Sequence, residues 1–165
     1  MLFRSLRRLA AERGLNGVVH FPGFRQYDEL APYYGLAGGF VHVSTIEPWG
    51  LVLNEATAAG LPVIASDACG SAAELIAEGR NGWVVDPLDV EQIARRMGEL
   101  ATAPAERRAS MAAESRRLVE RVSPGRFGEG MLGALEAAVE HRRRRRGARL
   151  AGAALSLSLR AFSYR

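Results

Sequence analysis

Short apolar runs alternate with helical stretches along this chain, and that alternation restricts the fold more than any other feature. FVHV at 40–43, PVIA at 62–65 and WVV at 83–85 are rich in β-branched and aromatic residues and read as strands. Val18, Val19 and Phe21 form a shorter strand candidate, stopped by Pro22-Gly23. Helical spacing predicts helices over 2–13, 27–37, 51–59, 72–77, 89–101, 105–121 and 125–144. Gly14, Gly60 and the pair Asn81-Gly82 separate them. Strands joined through helices by brief turns pair in parallel with right-handed crossovers. The expected fold class is α/β, a small doubly wound parallel sheet with C-terminal helices.

At 165 residues the chain can bury a core of its own. Its basic residues are all arginine, and their distribution matters more than the net charge of +4. Residues 142–165 hold eight arginines and no acid, so residues 1–141 are net acidic. The boundaries expected are an α/β domain over 1–141 and an arginine-rich tail over 142–165. An acidic body argues against a nucleic-acid partner. The single cysteine, Cys69, excludes an internal disulfide and argues against a small zinc site. The compartment it fits is the reducing cytosol. The longest apolar run, residues 150–159, is far shorter than the roughly 20 residues a spanning helix needs.

In open α/β sheets, ligands bind beyond the carboxyl ends of the strands. The segment STIEPWG at 44–50 lies there, between a strand and the next helix. Gly50 removes a side chain where that helix starts, so the N–H groups of Gly50, Leu51 and Val52 should point outward and favour an anion, phosphate above all. Glu47 either complements the helix dipole or meets a ligand. Glu55, set among Leu53, Ala56, Ala58 and Ala59, must be paired, hydrogen-bonded or open to a cleft. A pair of ligand hydroxyls would satisfy it, and so would a half-exposed helix position. A second strand-to-helix turn at 66–74 has Ser71 as an expected N-cap, with Glu74 completing a capping box. That structural role is sufficient for both, and Cys69 has no base nearby in sequence.

With these residues in view, the chain resembles the nucleotide-sugar-binding half of retaining glycosyltransferases of family 4. The resemblance covers residues 1 to about 100 and centres on E-x7-E, Glu47 to Glu55, inside STIEPWGLVLNEATAAGLPVIASD. FPGF at 21–24, YDELAPYYGLA at 27–37, GSAAELI at 70–76 and NGWVVDP at 81–87 surround it in order. It implies one Rossmann-like half of a GT-B type fold. It also implies that Glu55 holds the ribose of a nucleoside diphosphate sugar and that Glu47 contacts the transferred sugar. The backbone of Trp49, Gly50, Leu51 and Val52 would meet the sugar and diphosphate, and Gly23, Phe24 and Arg25 would border the base. The new bond would keep the donor's anomeric configuration. No cofactor and no metal are expected, and the chain contains no D-x-D triplet.

The departures from the family are equally specific. The family's second α/β domain, which carries the acceptor site, has no counterpart here, and neither does the first strand with its Arg/Lys pair. Arg25 alone is a poor substitute for that pair. The resemblance therefore implies a fragment that transfers sugar poorly by itself, its acceptor sugar or lipid-linked glycan being bound by the missing domain. The alternative is a non-catalytic sugar-nucleotide-binding or scaffold module. The arginine run from Arg142 to Arg146 is either a solvated extension or a contact for anionic membrane. The expected location is cytoplasmic, with peripheral contact at the inner face of the membrane through that run.

Overall fold

A computed structural model describes the backbone of residues 2–162 and the side chains of residues 3–144. In chain order it has α1 (Leu2–Glu12), α2 (Ala31–Leu36), β1 (Phe40–His42), α3 (Leu51–Ala58), β2 (Val63–Ser66), α4 (Ala72–Leu75), β3 (Gly82–Val85), α5 (Val90–Ala101), α6 (Ala105–Val119) and α7 (Pro124–Phe162). Single 3-10 turns precede α2, at Tyr27–Glu29, and α7, at Glu120–Val122. The strands form one parallel sheet in the order β1-β2-β3, with Val41 opposite Ile64 and Ile64 opposite Trp83.

The pleat of β2 divides the core. Val63 and Ala65 face a cluster with Leu53 and Ala56 of α3 and Ala72 and Leu75 of α4. Ile64 faces the other way, with Trp83, Val85, Leu100 and Met111. All four residues of β2 are buried, as expected of a parallel strand covered on both faces. Crossovers of one hand place α3 and α4 on the same face, and α5, which follows β3, covers the other through Ile93 and Leu100. This is the expected doubly wound arrangement.

Polar groups fasten the layers where apolar contact ends. The buried Asn81 amide donates to the Leu75 carbonyl (2.9 Å) and to Ser115 Oγ (3.1 Å), and its oxygen accepts from the Ala77 N–H (2.8 Å). Ser115 Oγ in turn donates to the Leu61 carbonyl at 2.7 Å. One Asn–Ser pair thus ties α6 to the turns that end α3 and α4. Helix α3 closes with the two carbonyl bonds of a Schellman motif, Leu61 N–H to Ala56 and Gly60 N–H to Thr57.

Three expectations change. Residues 18–21 are irregular rather than a strand, with Val18 in a turn and 71% exposed. A strand needs a hydrogen-bonded neighbour, and among the described residues none lies beside this segment. Ser71 does not cap α4 with its side chain. It is fully buried and its hydroxyl faces the Gly50 carbonyl, while Glu74 is exposed. Helix α7 does not stop near 144, since its backbone continues to Phe162. Arg142, Arg143 and Arg144 on it are exposed, whereas the side chains of Arg145 and Arg146 lie outside the described residues, as do residues 163–165.

Candidate functional site

The loop from β1 to α3 is held in place by the loop from β2 to α4. Glu47 and Cys69 form a parallel bridge: the Glu47 N–H donates to the Ala68 carbonyl (3.3 Å) and the Gly70 N–H to the Glu47 carbonyl (3.0 Å). The Trp49 carbonyl accepts from the Ser71 N–H at 2.9 Å and from Cys69 Sγ at 3.2 Å. A side chain at Gly70 would collide with the Pro48 carbonyl, so the close approach of the loops requires glycine. The strand-to-helix turn at 66–74 is therefore a buttress for the loop at 44–50.

Gly50 caps α3 in the left-handed region, φ 86° and ψ 65°. A Cβ there would also lie 2.7 Å from Cys69 Sγ and 3.2 Å from Glu47 Cγ. Among the described residues nothing accepts from the N–H groups of Gly50, Leu51 or Val52. These are the free donors of a helix start, where partial positive charge accumulates. The Trp49 N–H is engaged internally, donating to Glu47 Oε1 at 3.3 Å, and the indole Nε1 donates to Asn54 Oδ1 at 3.0 Å.

Glu47 is half-buried, and its other oxygen lies 3.7 Å from Nε2 of His42 on β1. That nitrogen is buried without a hydrogen-bond partner. Glu55, one turn into α3, is half-buried, and its Oε2 accepts from the Tyr34 hydroxyl at 2.7 Å. Burial first, and then this bond, push the Tyr34 phenol well above its ordinary range. The pair borders an open cavity of about 450 Å³.

The structure thus unites Glu47, Trp49 and Gly50 in one loop and puts Leu51, Val52 and Glu55 on the helix it starts. The Gly23–Arg25 segment stands apart. Gly23 has φ 77°, Phe24 is 84% exposed, and the Arg25 guanidinium lies 3.5 Å from Glu29 and over the Tyr33 ring. Among the described residues no hydrogen bond or ion pair joins this segment to Glu47 or Glu55. Sequence reasoning missed Tyr34 and His42, whose contacts are made across 21 and five positions. The only sequence signal was that Glu55 needed a partner.

A family model of the glycosyl transferases group 1 matches residues 2–118. The chain belongs to this family. A D-inositol 3-phosphate glycosyltransferase of Streptomyces scabiei is 36% identical over 100 residues, covering 61% of this chain and 22% of that protein. The solved C-terminal domain of a group 1 family protein of Francisella tularensis aligns with a TM-score of 0.65 at 29% identity, covering 72% of this chain and 60% of that one. HepE of Anabaena, solved with UDP, aligns at 0.72 and 26% identity, over 82% of this chain and 36% of HepE. The fold is that of the C-terminal domain of a GT-B glycosyltransferase. The chain spans about a fifth of the Streptomyces relative's length. No described helix is long and apolar enough to cross a membrane.

Proposed function

We propose that this chain is the donor-binding part of a retaining glycosyltransferase, which moves a sugar from a nucleoside diphosphate sugar to an acceptor held by the rest of the enzyme. The observation that carries this reading is the start of α3: a glycine-capped terminus with three free N–H donors, flanked by Glu47 in the preceding loop and Glu55 one turn on. The diphosphate meets the N–H groups of Gly50, Leu51 and Val52, the transferred sugar meets Glu47, and the ribose meets Glu55. Gly23, Phe24 and Arg25 border the base. The solved complex of HepE with UDP supports a nucleotide ligand for this fold.

The chemistry follows from where charge develops. As the bond between the anomeric carbon and phosphate breaks, its electron pair passes to the leaving diphosphate. Preorganised N–H groups stabilise that charge without a metal. The acceptor hydroxyl then attacks from the same face, giving its proton to a departing phosphate oxygen and preserving the anomeric configuration. The enzyme would act in the cytoplasm, with the arginine run at 142–146 meeting the anionic inner face of the membrane.

Calorimetric titration of the chain with UDP, GDP and ADP tests the donor site. One of the three should bind, and Glu55→Gln should weaken it by about tenfold, the loss of one charge-assisted hydrogen bond to the ribose. Unchanged affinity in Glu55→Gln would remove the ribose assignment.

A further inference from the structure

We propose that Tyr34 is the positioning residue for Glu55, fixing one carboxylate oxygen so that the other is presented to the ribose of a bound nucleoside diphosphate. The inference rests on the donor-site reading above and assigns the residue that makes Glu55 competent in it.

The two side chains come from separate elements. Tyr34 lies on the short helix α2 and Glu55 on α3, and their 2.7 Å bond spans the gap between them. Such a distance is typical of a hydroxyl donating to a charged carboxylate. Oε2 is committed by this bond, whereas Oε1 has no partner among the described residues. Glu55 is only half-buried, so without Tyr34 its carboxylate would sample several rotamers, and binding would have to oppose that lost freedom.

Tyr34 is itself held from behind. It is the residue of α2 packed against the main core cluster, and its ring sits 5.9 Å from that of Phe40 on β1, at 48°. Tyr34 is partly buried, and every other residue of α2 is exposed. The phenol therefore takes its position from the sheet and passes it to Glu55. Both residues line the cavity beside them, together with Tyr27, Leu30, Ala31 and Ala58. A tyrosine suits this task better than an arginine would. It supplies one donor but no charge, so Glu55 keeps its full negative charge for hydroxyl donors of the ligand.

The test uses the whole chain and whichever of UDP, GDP or ADP it binds, beside the 2′,3′-dideoxy form of the same nucleotide. Tyr34→Phe keeps the ring and its packing and removes only the hydroxyl. Affinity for the ribonucleotide should fall about five- to tenfold, while affinity for the dideoxy form stays unchanged. In a Glu55→Gln background, Tyr34→Phe should have no further effect. Equal losses for both nucleotides, additive losses in the double variant, or no loss from Tyr34→Phe where Glu55→Gln weakens binding would each overturn the positioning role alone. An unaffected Glu55→Gln, or no binding by the unaltered chain, overturns the donor-site reading and this inference with it.

Discussion

Gly50 shows how much one residue can hold. Its left-handed backbone starts α3, lets Glu47 fold back onto the Trp49 amide, and leaves space for Cys69. A β-carbon at that position strains the backbone and presses on sulfur at the same time. We expect Gly50→Ala to lower stability by about 1–3 kcal/mol, read as a lower urea midpoint at unchanged slope. A midpoint equal to that of the unaltered protein would show that the loop can shift without loss. Glu47 and Glu55 could be singled out from sequence because an acid in an apolar stretch demands an explanation. Their partners could not, since Tyr34 approaches Glu55 only when α2 packs against the sheet.

Among the elements, α6 has the least obvious role in sequence and a central one in the fold. Met111, Ser115 and Leu118 are its buried residues, and Ser115 links Asn81 to the Leu61 carbonyl. Ser115→Ala would leave that buried carbonyl and one amide hydrogen of Asn81 without this partner. The expected cost is about 1–3 kcal/mol, measured by urea unfolding; a change within error would mean that water replaces the hydroxyl. The strands at 40–42, 63–66 and 82–85 and helices α3, α5 and α6 fall close to where periodicity places them. Each is bounded by a glycine, proline or Asx signal that acts locally. The segment at 18–21 shares the composition of a strand but has no neighbour to pair with among the described residues, and so stays irregular. Ser71 fails as a cap for a related reason: the facing loop claims its hydroxyl before the helix can.

For the molecule as a whole, the uneven coverage of apolar surface is the main physical consequence. Phe127, Met131, Leu135 and Val139 recur every fourth residue along α7, all at least half exposed. At 100° per residue they share one side of the helix, with Glu129, Glu136 and Glu140 on the other. Phe3, Leu6 and Leu9 on α1 are exposed as well. Contiguous apolar surface of this kind binds apolar dyes and drives association. The native chain should therefore enhance 1-anilinonaphthalene-8-sulfonate fluorescence, and Met131→Glu with Leu135→Glu should reduce it while helical circular dichroism is retained. Equal fluorescence in the double variant would place the dye elsewhere.

By itself the sequence determined the parallel α/β layering, the position of the loop at 44–50 and the need of Glu55 for a partner, because these follow from periodicity, turn chemistry and the cost of an isolated carboxylate. Tertiary structure alone decided which groups those acids meet and that the second loop braces the first. Hydrogen bonds between distant segments have no local signature: they exist only once the sheet has brought α2, β1 and the two loops together.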